Sequence, residues 1–175
     1  MPQHPGGILI AREEIAGRVG ELGQAIAQEH THSVPLLVGV LKGAAIFMAD
    51  LIRAIPGPIA TDFMAVASYG TGTRSSGAVR LTADLSVSIE GRDVILVEDI
   101  VDSGRTVHYL RRNLETRHPR SLKVCTLLDK IERRQVELTL DYVGFVIPDR
   151  FVVGYGFDLA GQYRGLPEIR AIEES

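Results

Sequence analysis

The sequence predicts an α/β protein: an open, mainly parallel, twisted sheet with helices on both faces and a small cap contributed by the terminal segments. Two observations carry this. Apolar runs without polar alternation, such as PLLVGVL at Pro35 to Leu41, suit strands buried on both faces. Segments with a helical stripe alternate with those runs, and a strand–helix–strand order implies parallel strands joined by crossovers. A length of 175 residues, with no internal repeat or linker, fits a single domain over 1–175. Within it, residues 1–11, which begin MPQHPGG, are expected as a loose segment.

Each element follows from its pattern. Ile15, Val19, Leu22 and Ile26 recur at helical spacing, with Glu14, Arg18, Glu21 and Gln28 on the other face. After the Pro35–Leu41 strand and Lys42-Gly43, the segment AAIFMADLIRAI is apolar nearly all round, which suggests a buried helix or a subunit contact. Pro56-Gly57-Pro58 stops it. Ile59 to Tyr69 reads as a strand, Gly70 to Gly77 as a loop, and Ala78 to Leu81 as a returning strand of a hairpin. Gly91-Arg92 turns into a strand at Val94 to Val97, closed by Glu98-Asp99. Val107, Leu110 and Leu114 mark a helix over Gly104 to Thr116. Leu122 to Leu128 is another buried strand, with shorter ones at Tyr142 to Val146 and Phe151 to Tyr155.

Composition narrows the function classes. Hydrophobic residues make up 45% and charged residues 23%, an ordinary core former. A net charge of −3 argues against a protein that coats nucleic acid. It leaves room for an anionic substrate, because a divalent cation and oriented amides can supply the positive field locally. The single cysteine, Cys125, lies in the strand-like LKVCTLLD and reads as a core thiol. His30-x-His32 lacks the setting of a zinc site. No signal segment or membrane-length apolar run is recognisable, so a soluble, cytoplasmic protein is expected.

The informative string is VILVEDIVDSGRT, Val94 to Thr106. Open parallel sheets bind ligands at the carboxyl ends of their strands. Two adjacent acids there, Glu98 and Asp99, can accept hydrogen bonds from a diol or hold a cation. Asp102, Ser103, Gly104, Arg105 and Thr106 then open a helix whose free amides and positive end suit a phosphate. Taken alone, Asp102 or Ser103 reads better as a helix N-cap, worth about 1 kcal/mol. That reading leaves Glu98-Asp99 unexplained, since buried acids are costly without a partner or ligand. Neither GxxxxGK[ST] nor a GxGxxG turn is present.

The string resembles the signature of the type I phosphoribosyltransferases, which bind 5-phosphoribosyl-1-pyrophosphate. The resemblance implies that family's fold, with Glu98 and Asp99 facing the ribose hydroxyls and bound Mg2+, and the Asp102–Thr106 loop holding the 5′-phosphate. Other segments resemble the hypoxanthine-guanine branch. VGVLKGAAIFMADL implies a pyrophosphate loop at Leu41, Lys42 and Gly43, where the Leu41–Lys42 peptide can be cis. VASYGTGTRSSG implies a closing loop with Ser68-Tyr69 at its base. LLDKIERR implies Lys130 at the 6-oxo group of a purine, although a lone lysine at a strand end is usually a solvated charge. VGFVIPDRFVVGYGFD implies Phe151 stacking on the base, the Val152 backbone bonding its edge, and Asp158 reaching magnesium. Without the resemblance, Phe151 reads as a core aromatic. QYRGLP implies Arg164 at the pyrophosphate, where its fork suits bidentate contacts.

The implied reaction joins a 6-oxopurine to the donor, with Asp102 as the candidate acceptor of the purine N7 proton. A homodimer or homotetramer is implied by the same resemblance. A rival from another class is an RNA-binding regulator on this fold, using Arg111, Arg112, Arg117, His118 and Arg120 as a basic face. Glu115 within that stretch and the acidic total point instead to a solvated helix surface. A non-catalytic sugar-phosphate module is a second rival, which has no use for Lys130, Asp158 and Arg164.

Overall fold

A computed structural model describes residues 5–68 and 79–173. Its main sheet contains β2 (Leu36–Leu41), β3 (Ala60–Ser68), β4 (Val79–Ala83), β5 (Asp93–Val101), β6 (Ser121–Asp129) and β7 (Tyr142–Val146). Their spatial order is β4-β3-β2-β5-β6-β7, and all neighbours are parallel except β4 against β3. The open, mainly parallel sheet is therefore as the apolar runs require.

Helices cover both faces because strand residues alternate sides. On one face α1 (Arg12–Glu29) and α2 (Ala45–Ala54) bury Ile15, Leu22, Phe47 and Leu51 against Leu37, Ile95 and Val97. On the other, α3 (Arg105–Glu115) buries Val107, Leu110 and Leu114 against Val94, Leu96 and Val124. Each such aliphatic side chain contributes about 1.5–3 kcal/mol on leaving water. Cys125 is fully buried in the first of these cores, and burial pushes its thiol far above the ordinary range. It is an inert core thiol, as its strand setting implies.

A second sheet joins β1 (Pro5–Ile10), β9 (Ile169–Ile172) and β8 (Val152–Val153) in the antiparallel order β1-β9-β8. It forms the expected cap, and Ile10, Val152 and Ile169 share the core under α1 and α2. Three expectations need correction here. Residues 5–10 are not loose: Pro5 faces Ile172 and Ile8 faces Arg170 across an ordered ladder. The strand expected over Phe151 to Tyr155 shrinks to Val152–Val153, because Gly154 at φ +92°, Tyr155 at φ 50° and Gly156 at φ +101° leave extended geometry. The β5 strand does not close at Asp99. It runs on to Val101, since β6 continues beside it through Val101↔Asp129.

Candidate active site

The architecture marks one place for a ligand. From β2 the chain crosses through α2 to β3 on one side, and from β5 through α3 to β6 on the other. The two crossovers use opposite faces, so the sheet order reverses between β2 and β5, where α/β sheets hold ligands. Pairing of β2 with β5 ends at Gly39↔Val97, and the strands part beyond it. A cavity of about 280 Å³ opens there, lined by Leu41, Gly43, Glu98, Asp99, Asp102, Ser103, Gly104 and Thr106.

The acids at this opening are poorly partnered. Glu98 is only 5% exposed, and its Oε1 has no hydrogen-bond partner among the described residues. Burial, reinforced by the Asp99 charge, pushes its carboxyl well above the usual range. Burial also raises Asp99, to about 6, against hydrogen bonds from backbone amides and the nearby Arg164 charge. Two acids held this way are an expensive arrangement unless a ligand or cation completes it.

The Leu41–Gly43 side of the opening is built on close backbone approach. The Leu41–Lys42 peptide is cis. A Cβ on Gly43 would lie 1.8 Å from Asp99 Oδ2, so glycine is the residue that admits the carboxylate. From the other side, a Cβ on Gly156 would lie 2.3 Å from the Gly43 carbonyl oxygen. Arg164 donates to the Gly156 carbonyl at 2.5 Å and pairs with Asp158 at 2.6 Å. Asp158 in turn accepts the Gly161 N–H at 2.7 Å. Lys42 is exposed and does not line the cavity.

The loop from Asp102 to Thr106 resolves the N-cap alternative. Gly104 occupies the N-cap of α3 at φ +82°, a position with no side chain to cap the helix. Asp102 makes no capping bond, Ser103 Oγ accepts the Arg105 N–H only at a long 3.4 Å, and the first-turn amides beyond Arg105 keep their capacity for an anion. The loop is fixed from behind, where the Gln135 N–H donates to the Ser103 carbonyl at 2.9 Å. A Cβ on Gly104 would lie 2.8 Å from Arg134 Cδ, so contact as well as conformation requires glycine. Arg134 is anchored by an ion pair to Asp129. Arg105 points to solvent and lines no part of the cavity.

At the far end Lys130 is 6% exposed, which overturns the solvated-charge reading. Its ammonium lies 3.8 Å from Asp102 and 3.5 Å from Asp149. Phe151 is 54% exposed, so it is not a core aromatic, whereas its neighbour Val152 is buried in the cap sheet. Neither lines the cavity at the switch point. Ser68 ends β3 opposite Val79, and Tyr69 with residues 70–77 lies outside the described residues.

Among the described residues, no group of three His, Cys, Asp or Glu is placed to share a cation. Glu98, Asp99 and Asp158 thus do not form one ligand set by themselves. Magnesium ordinarily takes one or two carboxylates plus substrate phosphate oxygens. A buried acid with a bare oxygen beside the amino end of α3 fits that mode. Sequence reasoning missed several contributors. Ile100 lines the cavity and Gly156 packs on Gly43. Arg133 and Asp149 flank Lys130, and the only signal for them was charge density in IERR and PDR.

The fold and site define an α/β protein that handles a phosphorylated ligand at a sheet switch point. Residues 10–159 match the phosphoribosyl transferase domain family. The chain belongs to that family. It is 50% identical over 179 residues to the hypoxanthine-guanine phosphoribosyltransferase of Mycobacterium avium, covering 97% of this chain and 88% of that one. It is 51% identical over 162 residues to the bifunctional protein TilS/HprT of Listeria monocytogenes, covering 93% of this chain and 25% of that protein. A crystal structure of a hypoxanthine-guanine phosphoribosyltransferase from Bacillus anthracis superimposes with a TM-score of 0.92 at 45% identity, covering 97% of this chain and all, 100%, of that one.

Proposed function

We propose that this protein acts in purine salvage, transferring the 5-phosphoribosyl group from phosphoribosyl pyrophosphate to hypoxanthine, and to guanine, with magnesium. The products are IMP or GMP and pyrophosphate. The observation that carries this is the cavity at the switch point. There Glu98, with an orphaned oxygen, and Asp99 sit beside the loop that opens α3 at Gly104, with Lys130 buried beyond Asp102.

In this reading the Asp102–Thr106 loop and the first-turn amides of α3 hold the 5′-phosphate. Glu98 and Asp99 face the ribose hydroxyls and, with Asp158 and the substrate's own phosphate oxygens, would hold magnesium, which would neutralise the departing pyrophosphate. Leu41, Lys42, Gly43 and Arg164 position that pyrophosphate. Ser68 and Tyr69 belong to the loop that closes over the site and keeps water from the ribosyl centre. Lys130 donates to the purine 6-oxo group, Phe151 stacks on the ring, and the Val152 backbone meets its edge. Asp102 takes the N7 proton as the base nitrogen attacks. Positioning and charge placement are the protein's share of the rate.

An ammonium facing position 6 suits an oxo acceptor and rejects the amino group of adenine. Comparing kcat/KM for hypoxanthine, guanine, xanthine and adenine tests this directly. Hypoxanthine and guanine should lead, and a preference for adenine or uracil would overturn it. The RNA-regulator reading loses support from its basic face. Arg111 pairs with Glu115, Arg117 with Asp84 and Arg120 with Asp93, so much of that charge is already neutralised. Residues 1–175 act as one domain in this reading, and a cytoplasmic homodimer or homotetramer is proposed. No helix among the described residues is long and apolar enough to cross a membrane.

A further inference from the structure

Lys130 is not a lone cation beside one acid. It belongs to a closed ring of alternating charge in which each carboxylate gives one oxygen to each cation. Asp102 presents Oδ2 to Lys130 at 3.8 Å and accepts a hydrogen bond on Oδ1 from Arg133 Nε at 3.0 Å. Asp149 presents Oδ1 to Lys130 at 3.5 Å and accepts on Oδ2 from a terminal guanidinium nitrogen of Arg133 at 3.2 Å. The two cations differ in kind: Lys130 is buried, whereas the Arg133 side chain is 50% exposed.

The distances divide the work. Charge-assisted bonds between nitrogen and carboxylate run near 2.7–2.9 Å, so Lys130 makes no short bond to either acid. Arg133 makes both of the ring's hydrogen bonds, and its planar fork can span two carboxylates where an ammonium cannot. With Arg133 in place the ring is neutral and the Lys130 N–H groups keep their capacity for a ligand. Without it, two acids would compete for one buried ammonium and draw it into short bonds of its own.

We propose that Arg133 is a positioning residue for the purine: by holding Asp102 and Asp149 it keeps the Lys130 ammonium available to the 6-oxo group. This rests on the proposed transfer to 6-oxopurines and adds a residue that does not itself touch the base. The exposed 3-10 turn Ile131–Arg133, just after the β6 strand end, places it there.

The test is steady-state kinetics of Arg133→Gln and Arg133→Lys beside the wild type, with hypoxanthine and phosphoribosyl pyrophosphate varied separately. Arg133→Gln should raise the hypoxanthine KM about tenfold and leave the donor KM within about twofold, with any fall in kcat reporting the release of Asp102. Arg133→Lys, which keeps the charge and loses the fork, should fall between Arg133→Gln and wild type. Thermal melts of all three should coincide. An unchanged hypoxanthine KM in Arg133→Gln would overturn the proposal, as would equal rises in both KM values with a lowered Tm. Wild type inactive on hypoxanthine would instead overturn the transfer reading beneath it.

Discussion

The two ends of β5 both carry acids, and the structure treats them in opposite ways. At the amino end, Asp93 accepts hydrogen bonds from Arg120 and from the Ser121 hydroxyl, the latter at 2.7 Å. Those bonds, led by Arg120, hold its carboxyl well below the usual range. At the carboxyl end, Glu98 keeps an orphaned oxygen, and burial drives both Glu98 and Asp99 upward. One strand thus separates an acid that finishes a structure from the acids to which we assign a ligand. Partnering, more than burial, distinguishes a structural carboxylate from a functional one.

Substitutions can break this contrast. The largest effect is expected from Asp102→Asn, which removes the proposed proton acceptor: turnover should fall roughly 10²–10⁴-fold with a near-normal donor KM. A variant within about threefold of wild type would sink that role. Gly43→Ala drives a methyl into Asp99 and should cost on the order of 10² in kcat/KM. Full activity there would show that Asp99 can move at no cost.

At the other end the readout is stability. Asp93→Asn should lower stability by about 1–3 kcal/mol while kcat is retained, as measured by urea unfolding and assay of the folded protein. The sign with pH follows from a depressed carboxyl. Its contribution is complete above the unfolded value near 3.8 and disappears as pH falls toward the lower folded value. The wild-type advantage over Asp93→Asn should therefore close in acid; an advantage that grows there would refute the pairing. The smallest effect is expected from Glu98→Gln, within about 0.5 kcal/mol at neutral pH, since its Oε1 has no hydrogen bond to lose. A loss as large as that of Asp93→Asn would erase the contrast between the ends.

How much of this was legible follows the range of the interactions involved. The β5–loop–α3 unit declares itself because its strand, acids and helix opening are contiguous in sequence. Strand β1 does not, because its partner β9 lies at the opposite end of the chain and its PGGILI sequence has little pattern of its own. The extension of β5 past Asp99 depends on β6 running alongside, which no local window contains. Gly156 is recognisable as a turn residue, but its contact with Gly43 exists only once the chain has folded. Arg133 and Asp149 look like surface charge until the strand end brings them around Lys130.

The most direct measurement is the product balance of the wild-type protein. It would be incubated with phosphoribosyl pyrophosphate and hypoxanthine, with magnesium and after chelation by EDTA, and both products quantified from one tube. Equal amounts of IMP and pyrophosphate, lost on chelation, are the expected result. Pyrophosphate without IMP, or no turnover with magnesium present, would contradict the assignment of the β5 carboxyl end to phosphoribosyl transfer.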